Sequence, residues 1–176
     1  MEYEIENEWC FYVTKQRVTQ GHEKHVKEWE DRLSKVHSFK TAEGFWSVFN
    51  NFRPVGDMLN DSGDFYMFKD QILPEWEDSM NAGGGRWIVA TDSQKVEDMW
   101  GLLLMSLIGN MYDDLSEFIC GAELAVRPKK RFKIAVWIKQ ADKKSTVQLG
   151  ESIKKFLNAT KADFQKHKGD KVEYSV

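Results

Sequence analysis

Residues 131–139, RFKIAVWIK, alternate between apolar and other side chains, and this alternation constrains the fold more than any other feature of the chain. A period of two predicts a β-strand whose apolar side chains share one face. The core face carries Phe132, Ile134, Val136 and Ile138, and the opposite face carries Lys133 and Trp137. Residues 119–127 alternate in the same way, and PKK at 128–130 joins the two segments as a predicted hairpin. Such a hairpin needs a second layer to cover its apolar face.

The rest of the chain predicts further strands, with helices that occur singly between them. Strand-like segments are 9–14, 33–39, 65–69, 86–91, the neighbourhood of Phe164, and 172–175. Thr41 is the predicted N-cap of a first helix, and apolar side chains at helical spacing predict a second helix over 96–108 and a third over about 146–157. Strand pairs separated by single helices predict an α+β fold, in which helices pack on one face of an antiparallel sheet. The other face is then open to a ligand.

Composition and charge limit the kinds of partner. The chain has 176 residues and is 41% hydrophobic, which fits a single domain over residues 1–176 with a substantial core. Residues 1–7 are polar and are expected to be flexible. The formal net charge is −3, so contacts with nucleic-acid phosphates must be local rather than spread over the surface. The longest apolar run, around 102–105, is too short to span a bilayer, and no signal peptide is recognisable, so no membrane partner is predicted.

Cysteine and histidine residues, which often form functional sites, do not indicate one in this sequence. Cys10 and Cys120 are too few for a disulfide framework, which favours reduced thiols in a cytoplasmic or nuclear protein. His22 and His25 supply at most half of a metal site, and the sequence shows no convincing second half. Neither a metal nor a cofactor is therefore predicted.

The segment 74–90, PEWEDSMNAGGGRWIVA, places Trp76 directly beside Glu77 in a predicted loop. A tryptophan is costly to expose, and a glutamate is costly to bury without a partner. The pair therefore favours a ligand that contacts both side chains. The alternative is that Trp76, which follows Pro74 closely, is an ordinary ring that anchors the loop to the surface.

A second candidate is a short basic cluster in an otherwise acidic chain. The predicted hairpin brings Arg127 near Lys133, and Trp137 lies on the same outward face. An aromatic ring beside cations favours a ligand site, whereas the charges alone would fit a solvated hairpin tip.

Six segments carry a resemblance to a known family. They are TAEGFW (41–46), FKDQILPEWED (68–78), GGRWIV (84–89), SLIGN (106–110), CGAELAVR (120–127) and KIAVWI (133–138). In sequence and in order they resemble the motifs of the eukaryotic translation initiation factor 4E family, whose members bind the 7-methylguanosine cap of messenger RNA. The resemblance covers about residues 7–167. It implies a curved antiparallel sheet of about eight strands, backed by three helices on the convex face, with the cap slot on the concave face.

The resemblance assigns roles at the base end of the cap. Trp76 matches one wall of the slot, and Trp29 matches the other, where two indole faces would sandwich the cationic methylated base. Trp29 has an alternative place in a short amphipathic helix. Glu77 matches the residue that accepts from guanine N1–H and N2–H2, and Trp137 matches the residue that touches the N7-methyl group.

The resemblance also assigns the phosphate end. Arg127 and Lys133 match the ligands of the triphosphate, and Arg86 is expected to reach it through water. The hairpin is one residue longer than the common pattern, so Lys129, Lys130 and Arg131 remain alternative phosphate ligands. The family's core tryptophans correspond to Trp9, Trp87 and Trp100.

The back of the molecule departs from the family. Trp46 lies off the apolar stripe of the first helix and is expected to be partly exposed, and with Leu102 and Met105 it would form the surface that binds scaffold or repressor proteins. In the family these partners carry a helical Tyr-x4-Leu-apolar motif. The usual apolar–acidic pair is Gly101-Leu102 here, so a non-standard, more apolar motif is an alternative.

The resemblance implies a monomeric, cytoplasmic or also nuclear protein that binds capped messenger RNA in translation initiation. The alternative is a cap-binding repressor that sequesters messages without recruiting the scaffold. A third hypothesis, an enzyme that hydrolyses capped nucleotides, has no support beyond generic acids such as Asp113 and Asp114, and the chain contains no phosphate-binding loop or nucleophile elbow. No enzyme activity is predicted.

Overall fold

The computed structural model describes residues 2–14, 33–52, 54–55, 63–127 and 131–176. In these residues the strands are β1 (Glu4–Thr14), β2 (Leu33–Thr41), β3 (Asp64–Lys69), β4 (Gly85–Thr91), β5 (Ile119–Arg127), β6 (Arg131–Ile138), β7 (Asp163–Lys166) and β8 (Val172–Ser175). The helices are α1 (Ala42–Phe49), α2 (Val96–Ile108) and α3 (Lys143–Phe156), with a 3-10 helix over Asp113–Phe118.

The eight strands form one curved antiparallel sheet in the order β2-β1-β3-β5-β6-β4-β7-β8. The three helices contribute to one core on one face of the sheet, where Leu103 of α2 and Leu149 of α3 are fully buried beside strand residues such as Ile134. The α+β architecture is therefore confirmed. The helices lie on the convex face of the sheet, and the apolar face of β6 is turned toward them.

The opposite, concave face also buries apolar side chains. A second cluster there contains Cys10, Tyr12, Tyr66, Phe68, Ile72, Cys120, Ala135 and Trp137. Ile72 of this cluster belongs to the loop between β3 and β4. The same loop contacts β5 a second time, where the Cys120 thiol lies 3.8 Å from the Met80 carbonyl oxygen. This loop covers part of the face that the sequence predicted to be open, and only the remainder is free for a ligand.

Local side chains explain where the helices begin. The Thr41 hydroxyl accepts a hydrogen bond from the Gly44 backbone N–H at 3.1 Å, so the predicted N-cap of α1 is confirmed. The Asp142 carboxylate accepts from the Ser145 N–H at 3.0 Å and starts α3 at Lys143, three residues before the predicted start at Thr146.

The first strand begins earlier than expected. The strand was predicted to start at residue 9, but β1 starts at Glu4, which pairs with Thr41 of β2. The Tyr3 carbonyl oxygen accepts from the Ala42 N–H at 2.8 Å, and the Tyr3 N–H donates to Glu43 at 2.9 Å. The strand start predicted at residue 9 was wrong, because Tyr3 and Ile5 already alternate with glutamates and Ile5 packs against the core.

Both cysteines are buried and free. Burial raises the pKa of the Cys10 thiol, and it raises the pKa of Cys120 to about 12. Both groups are therefore neutral and weakly nucleophilic near neutral pH. No helix in the described ranges combines the length and the apolarity needed to cross a membrane.

The core packs α3 against β4 through one tryptophan. Trp87 is fully buried and donates its indole N–H to the Thr146 carbonyl oxygen of α3 at 3.0 Å. A Cβ on Gly150, one turn later, would overlap the Trp87 ring. Glycine at this helical position therefore allows the close approach of the helix to the sheet.

We expect Gly150→Ala to lower the free energy of unfolding by about 2 kcal/mol or more, because the new methyl group must displace a buried ring. Gly101→Ala is the matched control in α2, since its Cβ would lie 3.4 Å from the nearest Phe49 atom. Helix propensity should make this control neutral or more stable by about 1 kcal/mol. Denaturant titrations of both variants check the expectation, and equal stability would contradict the proposed packing.

Candidate ligand-binding site

A cavity of about 620 Å³ opens on the concave face, beside the loop between β3 and β4. Its lining residues come from that loop and from four neighbouring strands, β3, β5, β6 and β4. They are Asp64, Tyr66, Pro74, Glu75, Trp76, Glu77, Arg86, Glu123, Arg127 and Trp137. Five of the predicted ligand residues, Trp76, Glu77, Arg86, Arg127 and Trp137, therefore meet around one space.

The loop wall presents Trp76 and Glu77 to this space. Trp76 is 45% exposed, and Glu77 is also exposed. Asn81 is fully buried beneath them and donates from its amide to the carbonyl oxygens of Leu73 and Glu75, each at 2.8 Å. A half-exposed tryptophan on a loop tied down by buried hydrogen bonds is a preformed wall.

Asp78 completes the brace of the loop wall. Its carboxylate accepts from the Leu73 N–H and from the Met80 N–H, both at 2.9 Å. Sequence reasoning missed Asp78 and Asn81. The signal was their residue type, because Asp and Asn in a loop commonly bond to nearby backbone.

The glycine run after this wall lets the chain re-enter the sheet. Gly83 has a φ of +77°, in the left-handed region that favours glycine. A Cβ on Gly84 would overlap the Ile138 carbonyl oxygen, and one on Gly85 would overlap that of Gln165. Because glycine has no Cβ, the run can pass close to the backbones of β6 and β7 where the loop leads into β4.

The floor of the cavity is built around Trp137. Its ring is only 3% exposed, and its indole N–H donates to the Glu123 carboxylate at 2.8 Å. The same carboxylate oxygen lies 3.3 Å from an Arg86 guanidinium nitrogen. Burial raises the pKa of Glu123, whereas Arg86 and the indole N–H stabilise its ionised form. The alternation of residues 119–127 puts Glu123 on the same face as Arg127, but the sequence alone assigned it no role.

Sequence reasoning also missed the floor residue Tyr66 and a histidine that packs against Trp137. Tyr66 pairs in register with Glu123, and burial raises the pKa of its hydroxyl, which is therefore neutral. The His167 ring packs at a tilt against the Trp137 ring, with centroids 4.3 Å apart. Burial, then Arg86 and Lys166, lower the pKa of His167 to about 4, so the ring is neutral near pH 7. Neither of its nitrogens has a hydrogen-bond partner among the described residues.

The rim of the cavity carries a cation held in place by an acid. Arg127 donates to both carboxylate oxygens of Asp64, at 2.5 and 3.3 Å. This bidentate pair fixes the orientation of the guanidinium. The Arg127 side chain is still 44% exposed, so it remains accessible to an anion.

The register of the hairpin sets the distance between Arg127 and Lys133. Arg127 pairs with Arg131, and Lys133 pairs with Ala125, so Arg127 and Lys133 share a face but lie two positions apart. Lys133 is exposed and does not line the cavity. A two-residue difference of this kind depends on the turn, which the alternation of the strands does not reveal.

Several predicted residues cannot be placed. Trp29, Lys129 and Lys130 lie outside the described residues, as do His22 and His25. Arg131 begins β6, and its backbone pairs with that of Arg127. In the described ranges no group of three or more His, Cys, Asp or Glu side chains is arranged to hold a metal ion.

The convex side has a separate apolar surface, made of Trp46, Leu102 and Met105. Their side chains are 40%, 41% and 38% exposed. The Trp46 ring contacts the rings of Phe45 and Phe49 edge-on, with centroids 5.0 and 5.7 Å apart. The prediction that Trp46 is partly exposed is confirmed, while Trp9, Trp87 and Trp100 are buried as expected.

Comparisons with known proteins agree with this fold. Residues 4–175 match the family model described as Eukaryotic initiation factor 4E. Eukaryotic translation initiation factor 4E-3 of Caenorhabditis elegans is 35% identical over 162 residues, which are 88% of this chain and 61% of that protein. The chain thus spans less than two thirds of this relative's length.

Solved structures also match the whole chain, and two of them serve as examples. The complex of C. elegans eIF4E-3 with the 4E-binding protein Mextli and cap analog has a TM-score of 0.87 and 31% identity, covering 100% of both chains. The complex of Ascaris suum eIF4E-3 with m2,2,7G cap has a TM-score of 0.87 and 30% identity, covering 100% of this chain and 99% of that one. The relative and both structures are named as initiation factors rather than enzymes, in agreement with the prediction of no enzyme activity. The chain belongs to the eukaryotic initiation factor 4E family.

Proposed function

We propose that this protein binds the 7-methylguanosine cap of messenger RNA in the concave cavity and acts in translation initiation by recruiting the message. The observation that carries the proposal is the half-exposed Trp76 beside the exposed Glu77, on a loop braced by buried Asn81. Family membership and the cap complexes of the similar structures support it.

The base end of the cap fits the loop wall and the floor. Methylation at N7 makes guanine a flat, delocalised cation, which stacks on an indole face with added cation–π attraction. Glu77 accepts from N1–H and N2–H2, a donor pair that adenine lacks. The Trp137 floor meets the N7-methyl group, and Trp29 supplies the second indole wall.

The phosphate end fits the rim. Arg127 is oriented by Asp64 and is exposed toward the cavity, so it is the first ligand of the triphosphate. Lys133, Lys129, Lys130 and Arg131 are further ligands on the same hairpin. Arg86 is tied to Glu123 at the floor, and it reaches the phosphates only through water.

The first prediction tests the base end. Titration with 7-methyl-GTP should quench tryptophan fluorescence and give much tighter binding than GTP. Glu77→Ala should weaken 7-methyl-GTP binding at least about tenfold, because a donor pair loses its charged acceptor. Glu77→Gln should also weaken binding, since the amide offers a single acceptor oxygen and no charge.

Glu117→Ala serves as the control for Glu77, because Glu117 is 64% exposed and lies outside the cavity. It should bind like the wild type. Equal affinity of the wild-type protein for 7-methyl-GTP and GTP would refute the proposed function, and an unaffected Glu77→Ala variant would refute the role of Glu77.

The second prediction distinguishes the contribution of Arg127, at the rim of the cavity, from that of Lys133. Arg127→Ala should weaken triphosphate binding more than Lys133→Ala, because only Arg127 lines the cavity. Both variants should bind the uncharged 7-methylguanosine nucleoside as the wild type does, and their triphosphate affinity should depend less on salt. Calorimetry at two salt concentrations checks this, and an equal loss for the nucleoside would indicate misfolding instead.

We also propose a protein partner for the apolar surface of Trp46, Leu102 and Met105. The partner is a scaffold or repressor whose helix carries a Tyr-x4-Leu-apolar motif or a more apolar variant of it. Similar structures hold 4E-binding proteins, which supports this class of partner. Exposed apolar side chains clustered on a folded domain commonly mark an interface.

The third prediction concerns this surface. Trp46→Ala should weaken binding of a helical partner peptide by about 2 kcal/mol or more while leaving cap affinity unchanged. Phe45→Ala is the control on the same helix, because Phe45 is fully buried and its truncation should cost about 3–5 kcal/mol of stability. Thermal melts and peptide titrations decide the matter. A Trp46 variant as unstable as the Phe45 variant would mean that Trp46 belongs to the core.

A second function is a cap-binding repressor that sequesters messages. The observation that favours it is the exposed Leu102, which stands where the family has an acidic residue to bond the partner. Retention of scaffold protein from a translation extract by the cap-bound protein would exclude the repressor function, and cap binding without scaffold would support it.

A further inference from the structure

The floor of the cavity contains a positively charged side chain close to the proposed position of a positively charged base. The proposed ligand carries its positive charge on the base, yet the floor already holds the Arg86 guanidinium. Two like charges in one partly closed cavity repel each other, and the repulsion is stronger where little water screens it. Something must cancel the Arg86 charge if a cationic base is to bind there.

Glu123 is placed to do this. Its side chain is only 6% exposed, and its carboxylate lies 3.3 Å from Arg86 and 2.8 Å from the indole nitrogen of Trp137. The residue sits in the middle of β5, between Tyr66 on β3 and Ala135 on β6, so neighbouring strands fix its position. The carboxylate therefore joins the cation of the floor directly to the ring that faces the ligand.

Support of the Trp137 ring does not by itself require a carboxylate. A neutral side-chain carbonyl also accepts an indole N–H, and it avoids the cost of burying a charge. The Arg86 guanidinium, 3.3 Å away, favours the ionised form of this buried acid, and without the carboxylate it would be an uncompensated cation in the cavity.

We propose that Glu123 is a specificity-determining residue that neutralises Arg86 at the cavity floor and so permits a positively charged base to bind beside Trp137. This inference rests on the proposed cap-binding function. It assigns Glu123 an electrostatic role through Arg86, distinct from the base-edge contact of Glu77.

The test measures the ratio of the affinities for 7-methyl-GTP and GTP, in which contributions from the triphosphate cancel. Glu123→Gln keeps an acceptor for the Trp137 N–H and removes the charge, so the ratio should fall by about tenfold. The double variant Arg86→Gln/Glu123→Gln has a neutral floor and should recover most of the wild-type ratio. Glu117→Gln makes the same charge change away from the cavity and should leave the ratio unchanged.

Three results would overturn the inference: an unchanged ratio in Glu123→Gln, a double variant whose ratio is as low as that of the single variant, or an equal fall in Glu117→Gln. If thermal melts show that Glu123→Gln does not fold, Arg86→Gln decides instead, because it keeps the Glu123–Trp137 hydrogen bond. The ratio should then stay at or above the wild-type value, and a fall would refute the neutralising role. A wild-type ratio near one would refute the cap-binding function itself, which is a separate outcome.

Discussion

Burial of both faces of the central strands is the constraint on which the site depends. Every residue of β5 from Ile119 to Val126 is buried, with one face against the helices and the other against the concave cluster and the cavity floor. A strand buried on both sides cannot slip in register without moving apolar side chains out of the core. Glu123 and its neighbour Trp137 are therefore held by the same packing that holds the fold.

Charge pairing organises the cavity in a second way. Its described lining contains two guanidiniums, and each is paired with a carboxylate: Arg127 with Asp64 at the rim and Arg86 with Glu123 at the floor. The rim pair is partly exposed, so its cation can still serve a phosphate. The floor pair is largely buried, so its charges mainly compensate each other. One cavity can thus accept a cationic group at one end and an anionic group at the other.

The sequence predicted what depends on local pattern. The alternation of β6, the Thr41 cap and the outward position of Trp46 follow from period and residue type, and all three are confirmed. The packing of His167 against Trp137 and the pairing of Arg86 with Glu123 depend on residues far apart in the chain, whereas the Asn81 brace is local and was signalled only by its residue type. The pairing of Glu4 with Thr41 is likewise distant in the chain, and the register that separates Lys133 from Arg127 depends on the turn between their strands. Such contacts follow from strand order and turn geometry, which one sequence does not specify by pattern alone.

A crystal structure of the protein with 7-methyl-GTP tests the central claim most directly. The methylated base should stack on the Trp76 indole, with its N1 and N2 atoms about 3 Å from the Glu77 carboxylate oxygens and its N7-methyl group against Trp137. The triphosphate should run toward Arg127 while Arg86 stays paired with Glu123. A nucleotide bound elsewhere, or a base in the cavity that leaves Glu77 without a contact, would contradict the account.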